Sequence, residues 1–271
     1  MKGKLFTTIL LFTIISNVNA TDPDRDYNMT PDSLGIEYEQ LTIHTPDNYA
    51  LNAWKLLPQT EDKDTTIILA YGDSGNMSYF LQQSQILANM GFTMLLFDYR
   101  GFGKSSDFEI DRDFLYYNEF GNDLATVIDY VENNFETEKK GVWALSMGTV
   151  AATLALQEIS SDFLIAEGYV SDAHLIQERL QDETTNIILP ENSDLLKKMI
   201  SLIDVPMLIF AGNEDMVTTV SDAESIAMQS ENREIVTFDG NHLQGMWVMT
   251  ESQFGDLYFQ KMVDFINNQG S

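Results

Sequence analysis

Cysteine is absent from all 271 residues, which excludes disulfides, thiolate metal sites and a lipid-bearing cysteine behind a leader, and leaves stability to an apolar core. Histidine is scarce: His44, His174 and His242 are the complete set, scattered without ligand spacing, so neither a metal nor any other cofactor is implied. Basic residues are few as well, 15 against 42 acidic ones, for a formal charge of −27. That balance argues against nucleic acid as a partner and disfavours anionic substrates and membrane surfaces. A solvated acidic surface accounts for it without any partner. Internal repeats, low-complexity tracts and interdomain linkers are also missing. The apolar run from Leu5 to Ile15 is too short to cross a bilayer. Preceded by Lys2 and Lys4 and followed by Val18-Asn19-Ala20, it has the pattern of a secretory leader over residues 1–20. The expectation is a cut near Ala20, a mature chain from about Thr21 with no membrane segment, and work in a bacterial periplasm or outside the cell.

What is present is more specific. Gly141-Val142-Trp143-Ala144-Leu145-Ser146-Met147-Gly148 is an apolar run ending in a serine with very small residues two positions to either side. That is the pattern of a nucleophile elbow, a strand turning so sharply into a helix that only Gly or Ala fits beside an exposed hydroxyl. The Ala-rich segment 149–156 supplies the helix. By itself the pattern also suits an ordinary strand-to-helix turn.

The rest of the chain supplies partners in a meaningful order. A triad requires a base that titrates near neutrality and a carboxylate that fixes its tautomer, following the serine as acid and then histidine. Only His242 lies far enough past Ser146 to close that order, at the end of a strand-like run over 234–238. Asp215 follows the apolar run 205–211 in the same way, so both sit just past strand ends, where parallel sheets present catalytic groups. Asp215 also suits a helix N-cap before a helix near Ser221, and Asp172, one strand earlier, competes for the role of acid. Upstream, the buried run 65–70 enters Tyr71-Gly72-Asp73-Ser74-Gly75-Asn76. Attack on an acyl carbon needs two main-chain N–H groups for the oxyanion, one from Met147 and one from this loop, at Asp73.

With these residues in hand, the chain resembles the alpha/beta hydrolases, and within them small esterase-like proteins whose oxyanion loop reads His-Gly-Asn-Ala-Gly-Asn. The stretch Phe97-Asp98-Tyr99-Arg100-Gly101-Phe102-Gly103-Lys104-Ser105-Ser106 matches that group's Asp-Tyr-Arg-Gly-x-Gly-x-Ser loop, and the Asp215 and His242 segments match its acid and base loops. The resemblance spans about residues 36–266. It implies a serine hydrolase of esters, thioesters or amides acting through an acyl-enzyme on a small acyl substrate, with Ser146, Asp215 and His242 as nucleophile, acid and base. Three positions depart from the family pattern. Tyr71 replaces the histidine before the oxyanion glycine, Ala144 replaces the first elbow glycine, and Asp73 puts a carboxylate where an oxyanion must be stabilised. A peptidase or acyltransferase with the same triad, or a binding protein on a decayed hydrolase scaffold, are the alternatives.

The organisation expected is a leader over 1–20, a polar and loose N-terminal arm over 21–35, and one α/β domain over 36–271. A hairpin of Glu37–Ile43 and Ala50–Leu57 opens a mostly parallel sheet with helices on both faces. Residues 171–204 break the alternation. There Leu195, Leu196, Met199, Ile200 and Ile203 share one helical face, after a possible Ser193 cap. That face suits either a surface helix burying it on the sheet or a short lid lining an acyl pocket.

Overall fold

The computed structural model describes residues 19–181 and 186–269. Most of the expected leader, and part of the expected lid, therefore lie outside the described residues. The strands are β1 (Asp22–Pro23), β2 (Tyr38–His44), β3 (Ala50–Leu56), β4 (Thr65–Ala70), β5 (Ser74–Gly75), β6 (Thr93–Phe97), β7 (Lys139–Leu145), β8 (Phe163–Glu167), β9 (Met207–Gly212) and β10 (Arg233–Phe238). The helices are α1 (Pro31–Leu34), α2 (Leu81–Asn89), α3 (Tyr117–Asn134), α4 (Met147–Ala155), α5 (Ala173–Leu180), α6 (Leu196–Leu202), α7 (Val220–Ala227), α8 (Gly245–Val248) and α9 (Asp256–Asn268).

Eight strands form one sheet in the order β10-β9-β8-β7-β4-β6-β3-β2. β4, β6, β8 and β9 are buried along their whole length, the continuous apolar signature of parallel strands covered on both faces. The opening hairpin is antiparallel, with Tyr38 opposite Leu56 and His44 opposite Ala50, and β3 pairs antiparallel with β6. All remaining pairs in this sheet are parallel. The result is a mostly parallel sheet flanked by helices, the architecture that the sequence resemblance implies.

Aromatic packing locks the centre of this sheet to the C-terminal helix. Trp143 of β7 donates its indole N–H to the Tyr258 hydroxyl at 3.3 Å, and the Tyr258 ring stacks on Phe210 of β9 with centroids 4.1 Å apart. All three are buried. Each such ring contributes roughly 1.5–3 kcal/mol of transfer free energy, so α9 holds the two strands that end in Ser146 and Asp215 at a fixed spacing.

The N-terminal arm differs from the loose segment its polarity predicts. β1 pairs in parallel with β5, Gly103 N–H donates to Asp24 O at 3.0 Å, and Arg25 donates to Ser105 O at 2.9 Å. Polar side chains anchor the segment through main-chain groups of other loops, a source of order that composition does not report.

Candidate active site

β7 runs out at Leu145, and Ser146 turns the chain into α4 with φ 51° and ψ −120°. A non-glycine residue in that region is strained, and the strain aims the hydroxyl out of the turn. The small flanking residues are required by contact. A Cβ on Gly148 would lie 1.9 Å from Ala70 O, so no side chain fits there. Ala144 sits beside Ala70 and Ala166 in register on the neighbouring strands. Three alanines abreast leave room for a methyl group, which explains why alanine can stand at the first elbow position.

Ser146 Oγ lies 3.0 Å from His242 Nε2, and His242 Nδ1 lies 2.8 Å from Asp215 Oδ2. Asp215 is held in turn by the main-chain N–H groups of Val217 at 2.7 Å and Thr218 at 2.9 Å and by the Thr218 hydroxyl at 2.7 Å. Burial raises the Asp215 pKa, but the hydrogen bond and charge of His242 together with the Thr218 donors outweigh it and hold the carboxyl below its usual range. The group is therefore an ionised acceptor able to fix an Nδ1–H tautomer and leave Nε2 free to take a proton. Asp172 takes no part: it caps α5, accepting from His174 N–H at 2.9 Å. The helix after Asp215 is capped by Thr219, leaving Asp215 free for the histidine.

Met147 contributes the first N–H of α4, which has no carbonyl to meet within the helix. Asp73 lies across the same cavity, half-buried. Burial pushes its carboxyl up to about 6, partly offset by its own main-chain N–H and by the charge of His242. Tyr71 is a buried ring stacked on Phe80, its hydroxyl donating to Asp98 at 3.3 Å. Asp98 also accepts from Met77 N–H at 2.9 Å and Lys104 N–H at 3.2 Å. Asp98 of the Asp-Tyr-Arg-Gly stretch thus braces both ends of the loop over 71–77.

The cavity in front of Ser146 has a volume of about 180 Å³. Its apolar wall comes from Ile176 and Leu180 of α5 together with Leu115, Val170, Ile187 and Val217. The helical face singled out in the sequence lies elsewhere. Leu196 and Ile200 of α6 are buried and α6 packs on α4, so the face is buried away from this cavity, but against a helix rather than on the sheet as the pattern suggests. Ser193 does not cap the helix and instead bonds Pro190 O at 2.6 Å. α5 is tied to the acid loop by Arg179, which donates to Val217 O at 2.7 Å and pairs with Asp222 at 2.5 Å.

Two residues of this site escape sequence reasoning. Thr218 braces Asp215 and also lies 3.1 Å from His242 Nδ1; an Asp followed three residues later by Thr is its only local sign. Glu167 accepts Ser146 N–H on its main-chain carbonyl at 3.0 Å and Gly245 N–H on its carboxylate at 2.7 Å, linking the turn at Ser146 to the segment after His242. A lone charge ending the apolar strand 163–167 was its available signal. The next residue, Gly168, has φ +67°, and a Cβ there would come 2.6 Å from the His242 ring.

The model of the family described as "Serine aminopeptidase, S33" matches residues 61–171. The chain is 24% identical over 264 residues to the uncharacterized protein YfhR of Escherichia coli, a match covering 87% of this chain and 82% of that one. Among solved structures, an esterase from Pyrococcus furiosus superposes with a TM-score of 0.75 at 20% identity, over 92% of this chain and all (100%) of that one. An esterase from Thermogutta terrifontis gives 0.61 at 15% identity, over 86% and 100%. The chain has the alpha/beta-hydrolase fold of these proteins, and the matches support a hydrolase. No helix among the described residues is long and apolar enough to cross a membrane.

Proposed function

We propose, taking the alpha/beta-hydrolase fold as the premise, that the chain is an exported serine hydrolase cleaving carboxylic esters or thioesters by a Ser146–His242–Asp215 triad. One observation carries this reading: the unbroken relay of 3.0 Å from Ser146 to His242 and 2.8 Å from His242 to Asp215. His242 Nε2 takes the serine proton as Oγ attacks the acyl carbon, Asp215 stabilises the imidazolium, and the N–H groups of Met147 and Asp73 meet the oxyanion. The same proton then goes to the leaving group, and water repeats the sequence to release the acid. The apolar wall of the cavity, from Ile176, Leu180 and Leu115, suits an acyl group.

The leader over 1–20 supports export to a periplasm or the medium, the arm over 21–35 and the domain over 36–271 form the mature protein, and residues 171–204 act as a short lid through α5. The serine aminopeptidase match favours a second reading in which the same relay cleaves aminoacyl amides. A fluorophosphonate probe tests the first claim. Ser146 should be labelled and Ser146→Ala should lose both label and roughly 10⁶-fold in turnover. Equal labelling of the Ala variant would remove Ser146 from the mechanism, and rates on matched ester and amide substrates separate the two readings.

A further inference from the structure

The chain around the expected leader cut is built into the candidate site. Thr21 is fully buried, with its N–H donating to Arg112 O at 3.1 Å and its hydroxyl to Phe114 O at 2.7 Å. Asp22 N–H donates to Asp73 O at 2.8 Å, and β1 pairs with β5, so the oxyanion loop has this segment as its neighbouring strand. Asn76 secures it from the other side, donating to Asp24 O at 3.1 Å and Asp26 O at 2.8 Å. Immediately before Thr21, Asn19 and Ala20 line the same cavity as Ser146, His242 and Asp73. Among the described residues no side chain is hydrogen-bonded to or ion-paired with the Asp73 carboxylate, and its own main-chain N–H is the donor that acts on it.

We propose that the N-terminus made by cutting the Ala20–Thr21 bond is a working part of the site: loss of Asn19 and Ala20 from its lining opens the acyl cavity, and the Thr21 ammonium becomes the counter-charge of Asp73. The inference rests on the serine-hydrolase reading above. In the cut, one water adds across the peptide bond under a leader peptidase; Ala20 leaves with the new carboxylate, and the Thr21 amine takes up a proton near neutral pH. Thr21 N belongs to the residue next to the Asp22 amide that already bonds the Asp73 carbonyl, so the new charge arises beside the oxyanion loop. An uncompensated carboxylate there opposes the oxyanion and competes for the Asp73 N–H that should serve it. An adjacent ammonium cancels the charge and releases that N–H. In the folded uncut chain Ala20 is 3% and Thr21 0% exposed, so the bond is accessible only before the arm docks. The cut therefore precedes the completed site.

The test compares the full chain, a chain starting at Asn19 and the processed chain starting at Thr21, each with Asp73 and with Asp73→Asn. Thermal melts check that all fold, and a fluorophosphonate probe reports Ser146. On nitrophenyl butyrate the Thr21 chain should exceed the Asn19 chain by about tenfold or more in kcat/KM, against the ~10²-fold that a lost oxyanion donor costs. Asp73→Asn should shrink that ratio by about threefold or more, because only the opening of the cavity remains and no charge is left to compensate. A readout independent of turnover is the pH dependence of acylation of the Thr21 amine. Its pKa should lie above the ordinary ~8 and fall back in Asp73→Asn. Equal turnover of the two starts with both labelled, or an amine unaffected by Asp73→Asn, overturns the proposal and leaves the serine-hydrolase reading intact. Absence of label and turnover in every chain takes both down.

Discussion

Glu167 makes a quantitative prediction about stability. Its carboxylate is 1% exposed, accepts from Gly245 N–H at 2.7 Å through Oε1, and has no hydrogen-bond partner among the described residues for Oε2. Burial raises its pKa from 4.5 to about 7, against the smaller opposing effect of the Gly245 N–H. The folded protein thus holds this proton more tightly than the unfolded chain. Between pH 4.5 and 7 the folded state binds more protons, so stability falls as pH rises through that window and the loss is complete above it. At about 1.4 kcal/mol per pH unit the loss attributable to Glu167 is on the order of 3 kcal/mol. Glu167→Gln keeps an oxygen for Gly245 and cannot ionise. Urea unfolding of both proteins at pH 4.5 and pH 8 should show the stability difference shifting by about 3 kcal/mol toward the Gln variant at the higher pH, with unchanged m-values. Asp73 and Asp123, both pushed up to about 6 by burial, slope the same way in the two proteins and cancel in the difference. Parallel stability profiles would refute the reasoning and mean that Glu167 is solvated or paired in solution.

Asp215→Asn should lower kcat by about 10⁴ through loss of the tautomer, with little change in KM. Asp172→Asn, which touches only a helix cap, should cost at most about 1 kcal/mol of stability and leave the rate near normal; the reverse ranking in steady-state kinetics would move the acid to Asp172. Ile176→Ala should weaken hexanoate esters relative to acetate esters by about 0.8 kcal/mol per methylene no longer covered. Leu196→Ala, behind the site, should lower the melting temperature through a loss of roughly 2–5 kcal/mol while leaving the chain-length profile flat, and the opposite pattern in the ester series would place α6 in the pocket.

Several features of the site were legible because they are local. The elbow needs a small residue two positions after Ser146, since Ala70 O occupies the space a side chain would take, and Gly148 announces that in one dimension. Strand ends at Gly212 and Phe238 put Asp215 and His242 on one edge of the sheet because parallel strands all end on the same side. The apolar runs over 65–70 and 205–211 read as strands, and β4 and β9 are buried throughout, since a strand covered on both faces cannot alternate.

Other features belong to the tertiary structure alone. Whether α5 or α6 lined the cavity was undecidable from pattern, because both present an apolar face and only the path of the chain decides which face meets Ser146 and which meets α4. The polar arm reads as loose, yet it is ordered by bonds from Asp22 to Asp73 and from Gly103 to Asp24, contacts across some 50 to 80 residues of sequence that no local window contains. Glu167 likewise gains its role from Ser146 and Gly245 meeting it from opposite directions. Residue type and spacing determined the order Ser146, Asp215, His242 and the strands that carry them, since periodicity and turn sterics act between near neighbours. The folded chain decided what surrounds those three groups, because burial, pocket shape and the electrostatics of Asp73 and Glu167 depend on segments that only folding brings together.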